Sequence, residues 1–166
     1  MTLASVEDLL LWFGARELAQ VAVPEELPVV SSELMRLTIV RGERDAFTDE
    51  EITAADAGLG VIERALADAT RLIESHVALR HAIPLSGAQV AGSPLPRVCG
   101  AIARRLLHRD RVPEEVIAGH TQAMNWLKAL AAGQVGIVGG AVHGAGAAAF
   151  EAPPRLFDHQ TLRGFV

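Results

Sequence analysis

The chain has 166 residues, of which 50% are hydrophobic, so it is long enough to bury the core of a single domain. Its 15 basic and 20 acidic side chains give a formal net charge of -5, which argues against a protein that binds nucleic acid by neutralising phosphates. A single cysteine, Cys99, excludes an intramolecular disulfide. The N-terminal residues lack the basic and apolar regions of a secretion signal.

The first predicted element is a short amphipathic helix with an N-terminal cap. Ser5 precedes its apolar run and Asp8 follows three residues later, which is the pattern of a capping box. The pattern predicts that this helix ends near Gly14, with one or two further turns before the next proline. Because aromatic side chains dominate burial, we predict core packing for Trp12 and Phe13.

Residues 24–49 show a poor pattern and are predicted as an insertion or loop. Within them, Leu34–Val40 fits either a strand or an interface segment, and the residues leave both open. A strand would need a pairing partner, either Glu26–Val30 in a short β-hairpin over residues 26–45 or a neighbouring subunit.

The longest predicted helix follows a second capping box that begins at Thr48. We predict a secure helix only from Val61, because Gly58 and Gly60 each weaken a helix by up to about 1 kcal/mol relative to alanine. A continuous apolar stripe then predicts that the helix runs to about Arg80 or His81.

The centre of the predicted fold is a helical hairpin over Ser93–Gly133, in which two apolar stripes flank a charged corner. Pro113 fits the first turn of the second helix, and Gly133 is its predicted C-cap. The predicted stripes comprise Leu95, Val98, Cys99, Ile102, Leu106 and Leu107, followed by Val116, Ile117, His120, Met124, Leu127, Leu130 and Ala131. The predicted fold class is therefore all-α, a small bundle of about four or five helices.

Beyond this helical domain of residues 1–133 the composition changes. Residues 134–149 are mostly Gly and Ala and are predicted as a flexible linker, because they offer little to bury. Residues 150–166 regain prolines, phenylalanines and arginines and are predicted as an extended docking arm, the alternative being that they fold back on the domain. The predicted partner-binding residues of the arm are Pro154, Arg155, Leu156, Phe157, Leu162, Arg163 and Phe165.

No combination of residues predicts an enzyme, a metal site or a bound cofactor. His76 and His81 lie on different faces of one helix, and no paired Cys/His spacing occurs. Cys99 on an apolar stripe is expected to be an inert thiol, and His120 a hydrogen-bonded, partly buried residue. The charged corner is interpreted first as a solvated or subunit-contacting surface, with these contact residues: Arg104, Arg105, Arg109, Arg111 and Glu114.

A series of short motifs along the chain is more informative in combination than any motif alone. They are Val6–Leu10 with Phe13-Gly14 and Glu17-Leu18; Ala65–Thr70 with Ile73–Val77 and Arg80–Leu85; Arg97–Leu107 with Asp110–Val116; Ala123–Gly133; and Pro153–Phe165. Together they resemble the Mu-like bacteriophage and prophage head-tail connector, or head-completion adaptor, family. The resemblance covers most of the chain and fails between Pro24 and Asp49.

The resemblance implies a non-enzymatic, all-helical virion protein of the neck, assembled in the host cytoplasm. Its copies are expected to pack side by side in a ring, usually of twelve, beneath the portal protein, and to present a surface to the next neck protein, a stopper or tail terminator. DNA is expected to pass through the ring without specific binding, and no membrane contact is implied. The alternative is a small helical regulatory or DNA-binding protein that uses the Arg104–Arg111 corner.

Overall fold

The computed structural model describes residues 2–109 and 111–137. Within these ranges the regular secondary structure is helical and contains no strand, which confirms the all-α prediction. Apart from residues 134–137, the predicted linker and the predicted arm lie outside the described residues. The helices are α1 (Val6–Ala22), α2 (Ser32–Val40), α3 (Asp49–Val77), α4 (Gly87–Ala91), α5 (Leu95–Leu107) and α6 (Glu114–Ala131).

The predicted capping box opens α1. The Ser5 hydroxyl accepts the Asp8 backbone N–H at 3.1 Å, and the Asp8 carboxylate accepts the Ser5 N–H at 2.9 Å. At Gly14 the backbone has φ +81° and ψ 154°, a conformation that essentially only glycine adopts without strain. The predicted end of the helix is therefore a kink, and the second half of α1 continues to Ala22.

The segment Leu34–Val40 is helical in α2, so neither the strand nor the β-hairpin over residues 26–45 forms. The Ser31 hydroxyl accepts the Leu34 N–H at 3.1 Å and caps the helix. Leu34, Met35, Thr38 and Ile39 are buried at helical spacing, so packing overrides the strand propensity of the β-branched residues.

The long helix α3 begins at Asp49, directly after the Thr48–Glu51 capping box, so the prediction of a secure helix only from Val61 was wrong. A methyl group on Gly58 would lie 3.0 Å from side chains of α2 and of the chain just after α1. The glycine costs helix propensity but allows these elements to approach α3 closely, and their burial offsets that cost.

The helices form three layers. α1 and α3 pack together in the middle, with α2 on one side and the α5–α6 hairpin on the other. α2 contacts α1 and α3 but makes no contact with α5 or α6, and the short α4 packs on α5. α3 is the common scaffold, because it contacts α1, α2, α5 and α6.

The α5–α6 hairpin forms as predicted, and Gly133 follows α6 with φ +75°, the left-handed conformation of a C-terminal cap. Two predicted stripe residues are not in the core, since Leu106 is 50% exposed and Ile117 is 49% exposed. Their neighbours Leu107 and Val116 are buried instead. Successive residues of a helix point about 100° apart, and at these two places the neighbour faces the core instead of the predicted residue.

The contact between α1 and α5 depends on glycine at position 100. A methyl group there would lie 2.5 Å from Cζ3 of Trp12. We expect Gly100→Ala to lower the free energy of unfolding by about 1–3 kcal/mol through overpacking, measured by urea denaturation. Gly119→Ala in α6 is the matched control, because no atom lies within 4 Å of the added methyl. It should leave the protein equally stable or stabilise it by up to about 1 kcal/mol, and equal stability of the two variants would contradict the prediction.

Candidate functional site

Aromatic and charged side chains connect α1 to α5. Trp12 and Phe13 are half-buried against the core and meet edge to face, with ring centroids 6.3 Å apart. The guanidinium of Arg97 lies 4.4 Å from the Trp12 ring centroid, and that of Arg104 lies 4.7 Å from the Phe13 ring centroid. Each arginine thus makes a cation–π contact, and the pair stacks on either side of Gly100 along one face of α5.

Glu17, in the second half of α1, forms the main polar contact of this interface. Its two carboxylate oxygens accept hydrogen bonds from Nε and Nη2 of Arg104 at 2.5 and 2.8 Å. Nε2 of His108 lies 3.4 Å from Oε1 of the same carboxylate. Burial by itself raises the pKa of Glu17, but hydrogen bonds and charge from Arg104, then from His108, outweigh it and hold the pKa below its ordinary value.

Sequence reasoning missed this interface. Glu17 and Arg104 are 87 residues apart in the chain, and no local pattern connects them. The available signal was the spacing of Arg97, Gly100 and Arg104, which places all three on one face of a helix. Arginine on either side of a glycine on a helix is compatible with aromatic packing from a neighbouring helix.

The structure separates the predicted subunit-contact residues into two groups: Arg104 and Arg105 bind other groups of the same subunit, whereas Arg109, Arg111 and Glu114 are exposed. Arg104 is only 21% exposed and is neutralised by Glu17, which also removes one cation from the alternative DNA-binding surface. The Arg105 guanidinium donates to the His108 carbonyl at 3.0 Å. Arg109 and Arg111 are exposed, and no ion pair to either is found among the described residues, while Glu114 is exposed in the first turn of α6. We refer to Arg105, Arg109 and Arg111 as the basic corner.

A groove of about 420 Å³ runs between the end of α1 and the basic corner. Its apolar residues are Val21, Val23 and Leu107, and Arg109 and Arg111 lie at its charged side. Glu25 and His108 complete the polar lining with Gln20. The groove therefore combines an apolar surface with an excess of positive charge.

The opposite end of the bundle holds the C-terminus of α6. Arg80, just after α3, donates from Nε to the Ala131 carbonyl at 3.0 Å and from Nη2 to the Ala132 carbonyl at 3.4 Å, which satisfies carbonyls left free at the helix end. The chain then continues to Ile137, which is buried. α6 has 18 residues, so its C-terminus lies roughly 27 Å from the basic corner.

The predicted partner-binding residues of the arm cannot be placed on this framework. They lie outside the described residues, and they are Pro154, Arg155, Leu156, Phe157, Leu162, Arg163 and Phe165. Their binding role therefore stays a prediction.

The remaining titratable candidates form no site within the described ranges. Cys99 is buried, and burial raises the pKa of its thiol despite a contact of 3.6 Å between its Sγ and the Thr70 hydroxyl. A raised pKa disfavours the reactive thiolate, in agreement with the inert thiol predicted here.

Nδ1 of His76 lies 2.9 Å from the Leu72 carbonyl of its own helix. Residues 2–109 and 111–137 contain no group of three or more His, Cys, Asp and Glu side chains that could hold a metal ion.

The described residues thus define a small all-α bundle whose distinctive features are an α1–α5 interface, a basic corner with its groove, and a chain exit at the opposite end. None of its helices is long and apolar enough to cross a membrane.

A family model described as "Bacteriophage Mu, Gp36" matches residues 4–149. The chain belongs to this family, which confirms the bacteriophage origin that its motifs imply. No curated protein matches the chain significantly.

The contact of Glu17 with Arg104 makes stability depend on pH. Because the pKa of Glu17 is lowered on folding, its contribution is present above the ordinary value of 4.5 and is lost as the pH falls through the lowered value. We expect Glu17→Gln to reduce the free energy of unfolding by about 1 kcal/mol at pH 7, after allowance for solvent screening of a partly exposed pair. Urea denaturation should show this difference shrinking towards pH 3.

The control for this variant is Glu33→Gln. Glu33 forms an ion pair with Arg36 at 2.6 Å on the exposed face of α2 and makes no contact between layers. Its replacement should change stability less than Glu17→Gln does at pH 7. A loss for Glu17→Gln that stays constant from pH 7 to pH 3 would show that the charge of the carboxylate is not what stabilises the interface.

Proposed function

We propose that this protein is a head-tail adaptor, a non-enzymatic structural protein of the phage neck. In this proposal its copies form a ring, of twelve subunits as the motif resemblance implies, beneath the portal protein. The ring joins the DNA-filled head to the next neck or tail protein. The observation that carries the proposal is membership of the bacteriophage Mu Gp36 family over residues 4–149, combined with the motif resemblance to head-tail connectors.

The fold and the charge of the chain support this role. The core is assembled from layers within one subunit, so charged surfaces on the outside remain available for neighbouring copies. A net charge of -5 favours passage of DNA through a ring, since an acidic surface repels phosphates and limits tight binding. These features fit a structural conduit better than a nucleic-acid-binding regulator.

The portal-binding element of the proposal is the arm, residues 150–166. It follows α6 in the chain, and α6 ends at the side of the bundle opposite the basic corner. In the proposed ring, α6 therefore ends towards one face and the basic corner lies towards the other. In this proposal portal binding uses the arm and subunit contact uses the basic corner, so the two functions use different residues of the chain.

Removal of residues 150–166 should abolish co-purification with portal rings. The helical content measured by circular dichroism should persist, because residues 3–137 already form a continuous buried core. The sharper variant replaces Phe157 and Phe165 by alanine, and its matched control replaces His159 and Gln160 by alanine in the same arm. We expect only the first pair to weaken portal binding, since large apolar side chains dominate interface energies. Unchanged portal binding by the deletion variant would refute the arm as the binding element.

The free protein should be monomeric or weakly associated at micromolar concentration, as measured by multi-angle light scattering. The exposed side chains at the basic corner are charged, and contacts between exposed charges contribute little energy each. A template that aligns the copies raises their effective concentration and would promote closure of the ring. A large ring that remains stable without portal at this concentration would contradict the prediction.

A further inference from the structure

A second groove, of about 280 Å³, lies between α5 and α6. Its apolar lining includes the buried Val98 and Ala123 and the half-buried Trp126. Ala101 and Gly119 line it further along the two helices, and both are small. We refer to this space as the hairpin groove. Its small side chains beside one large aromatic ring leave room for a segment of chain.

Gly119 leaves part of the hairpin groove open. A methyl group at this position would have no atom of the described residues within 4 Å. Glycine weakens a helix, and at Gly58 and Gly100 the close approach of neighbouring side chains accounts for it. At Gly119 no described part of the subunit occupies the space, so the groove can accept a further segment.

The hairpin groove lies towards the end of the bundle at which α6 ends. Trp126 is roughly 7.5 Å from Ala131 along the helix axis, and Pro94 at the start of α5 lines the groove with it. From Gly133 the described chain continues to Ile137, at most roughly 14 Å further on. The 420 Å³ groove beside the basic corner is at the opposite end. Of these two grooves, the hairpin groove is therefore the one beside the chain exit.

The chain beyond Ile137 is long enough to return to this groove. Residues 138–153 lead to the prolines of the arm, and a flexible chain of 16 residues spans about 20–24 Å on average. The distance along α6 from Ala131 back to Gly119 is roughly 18 Å, so the whole groove is within reach. A tether of this length gives an effective concentration on the order of millimolar, which favours contact within one copy.

The arm has the large apolar side chains that could fill this groove. Pro153 and Pro154 restrict the backbone, which lowers the entropy lost on binding. Proline-rich segments bind grooves that contain aromatic side chains, and Trp126 provides one here. Leu156 and Phe157 follow the prolines and are large enough to fill the open part of the groove.

The size of the hairpin groove also suits an aromatic side chain. Its volume exceeds the roughly 150 Å³ of a cavity that holds benzene. The cavity beside Ile83 and Pro84, at the same end of the bundle, has only about 60 Å³. Of the two spaces, only the hairpin groove can therefore hold a phenyl ring.

We propose that the hairpin groove binds the arm of its own chain, with Pro153–Phe157 beside Trp126 and Gly119, while the protein is free of its partner. The contact itself does not rest on the proposed function. Where the arm also binds the portal, as proposed above, portal binding displaces the arm from the groove. The groove and the portal then compete for the same residues.

Tryptic cleavage of the full-length protein after Arg155 tests this contact, because a bound segment is protected from proteolysis. Mass spectrometry follows the peptide that begins at Leu156, and a synthetic peptide of residues 150–166 gives the rate for an unbound arm. Gly119→Leu fills the groove and leaves the cleavage site unchanged. Gly60→Leu in α3 is the matched control, because a methyl group there also has no described atom within 4 Å and Gly60 does not line the groove.

We expect cleavage after Arg155 in the wild-type protein to be at least about ten-fold slower than in the peptide. Gly119→Leu should remove most of this protection, and Gly60→Leu should keep it. A second variant, Phe157→Ala, changes no residue of the helices and should also lose protection, relative to a peptide with the same change.

Two results would overturn the inference directly: cleavage of the wild-type protein as fast as that of the peptide, and equal protection of the wild type and both groove and arm variants. Protection that increases with protein concentration would assign the arm to the groove of a second copy, and would also overturn it.

Portal binding by the same proteins separates this inference from the proposed function. Protection that Gly119→Leu removes, without portal binding by the wild type, would retain the groove contact and reject the adaptor role. Portal binding by the wild type without protection of Arg155 would retain the adaptor role and reject the groove contact. Loss of portal binding by Gly119→Leu, with protection unchanged, would assign the groove to the portal and overturn the inference.

Discussion

The fold depends on the packing of α3 against four other helices at once. A helix can be covered on so many sides only if some partners approach closely, and α3 meets this requirement with small side chains along its buried faces. Gly58 is the clearest case, because a methyl group there would crowd both α2 and the chain just after α1. The three layers follow from this one helix, since α1, α2 and the hairpin take their places by contact with it.

Local signals in the sequence predicted the helices well where caps and periodicity agreed. Ser5 and Thr48 begin helices in the structure as their capping boxes indicate, and the hairpin of α5 and α6 forms, with Gly133 directly after the end of α6. The strand alternative for Leu34–Val40 was wrong, because β-branched residues favour strands locally but here pack in a helical stripe against α1 and α3. The prediction at Gly58 failed for a related reason. The low helix propensity of glycine indicated a weak helix, whereas the structure uses this glycine for close packing.

The candidate site was only partly predictable. The clustering of arginines at the corner is visible in the sequence, yet which of them remain exposed depends on long-range contacts. Arg104 is neutralised by Glu17 from the other end of the chain, whereas Arg109 and Arg111 are exposed beside a groove. Adjacent helical positions posed a similar problem, because periodicity alone did not decide whether Leu106 or Leu107 enters the core. The packing of the layers determines such contacts, and the spacing of residues along the chain does not predict them.

The direction of the chain gives the described bundle two distinct ends. Along the bundle, the basic corner lies at one end and the C-terminus of α6 at the other. Copies placed side by side in one orientation would therefore have all their α6 C-termini pointing in one direction. A ring of such copies has two unlike faces, which is the geometry that a connector between two different partners requires.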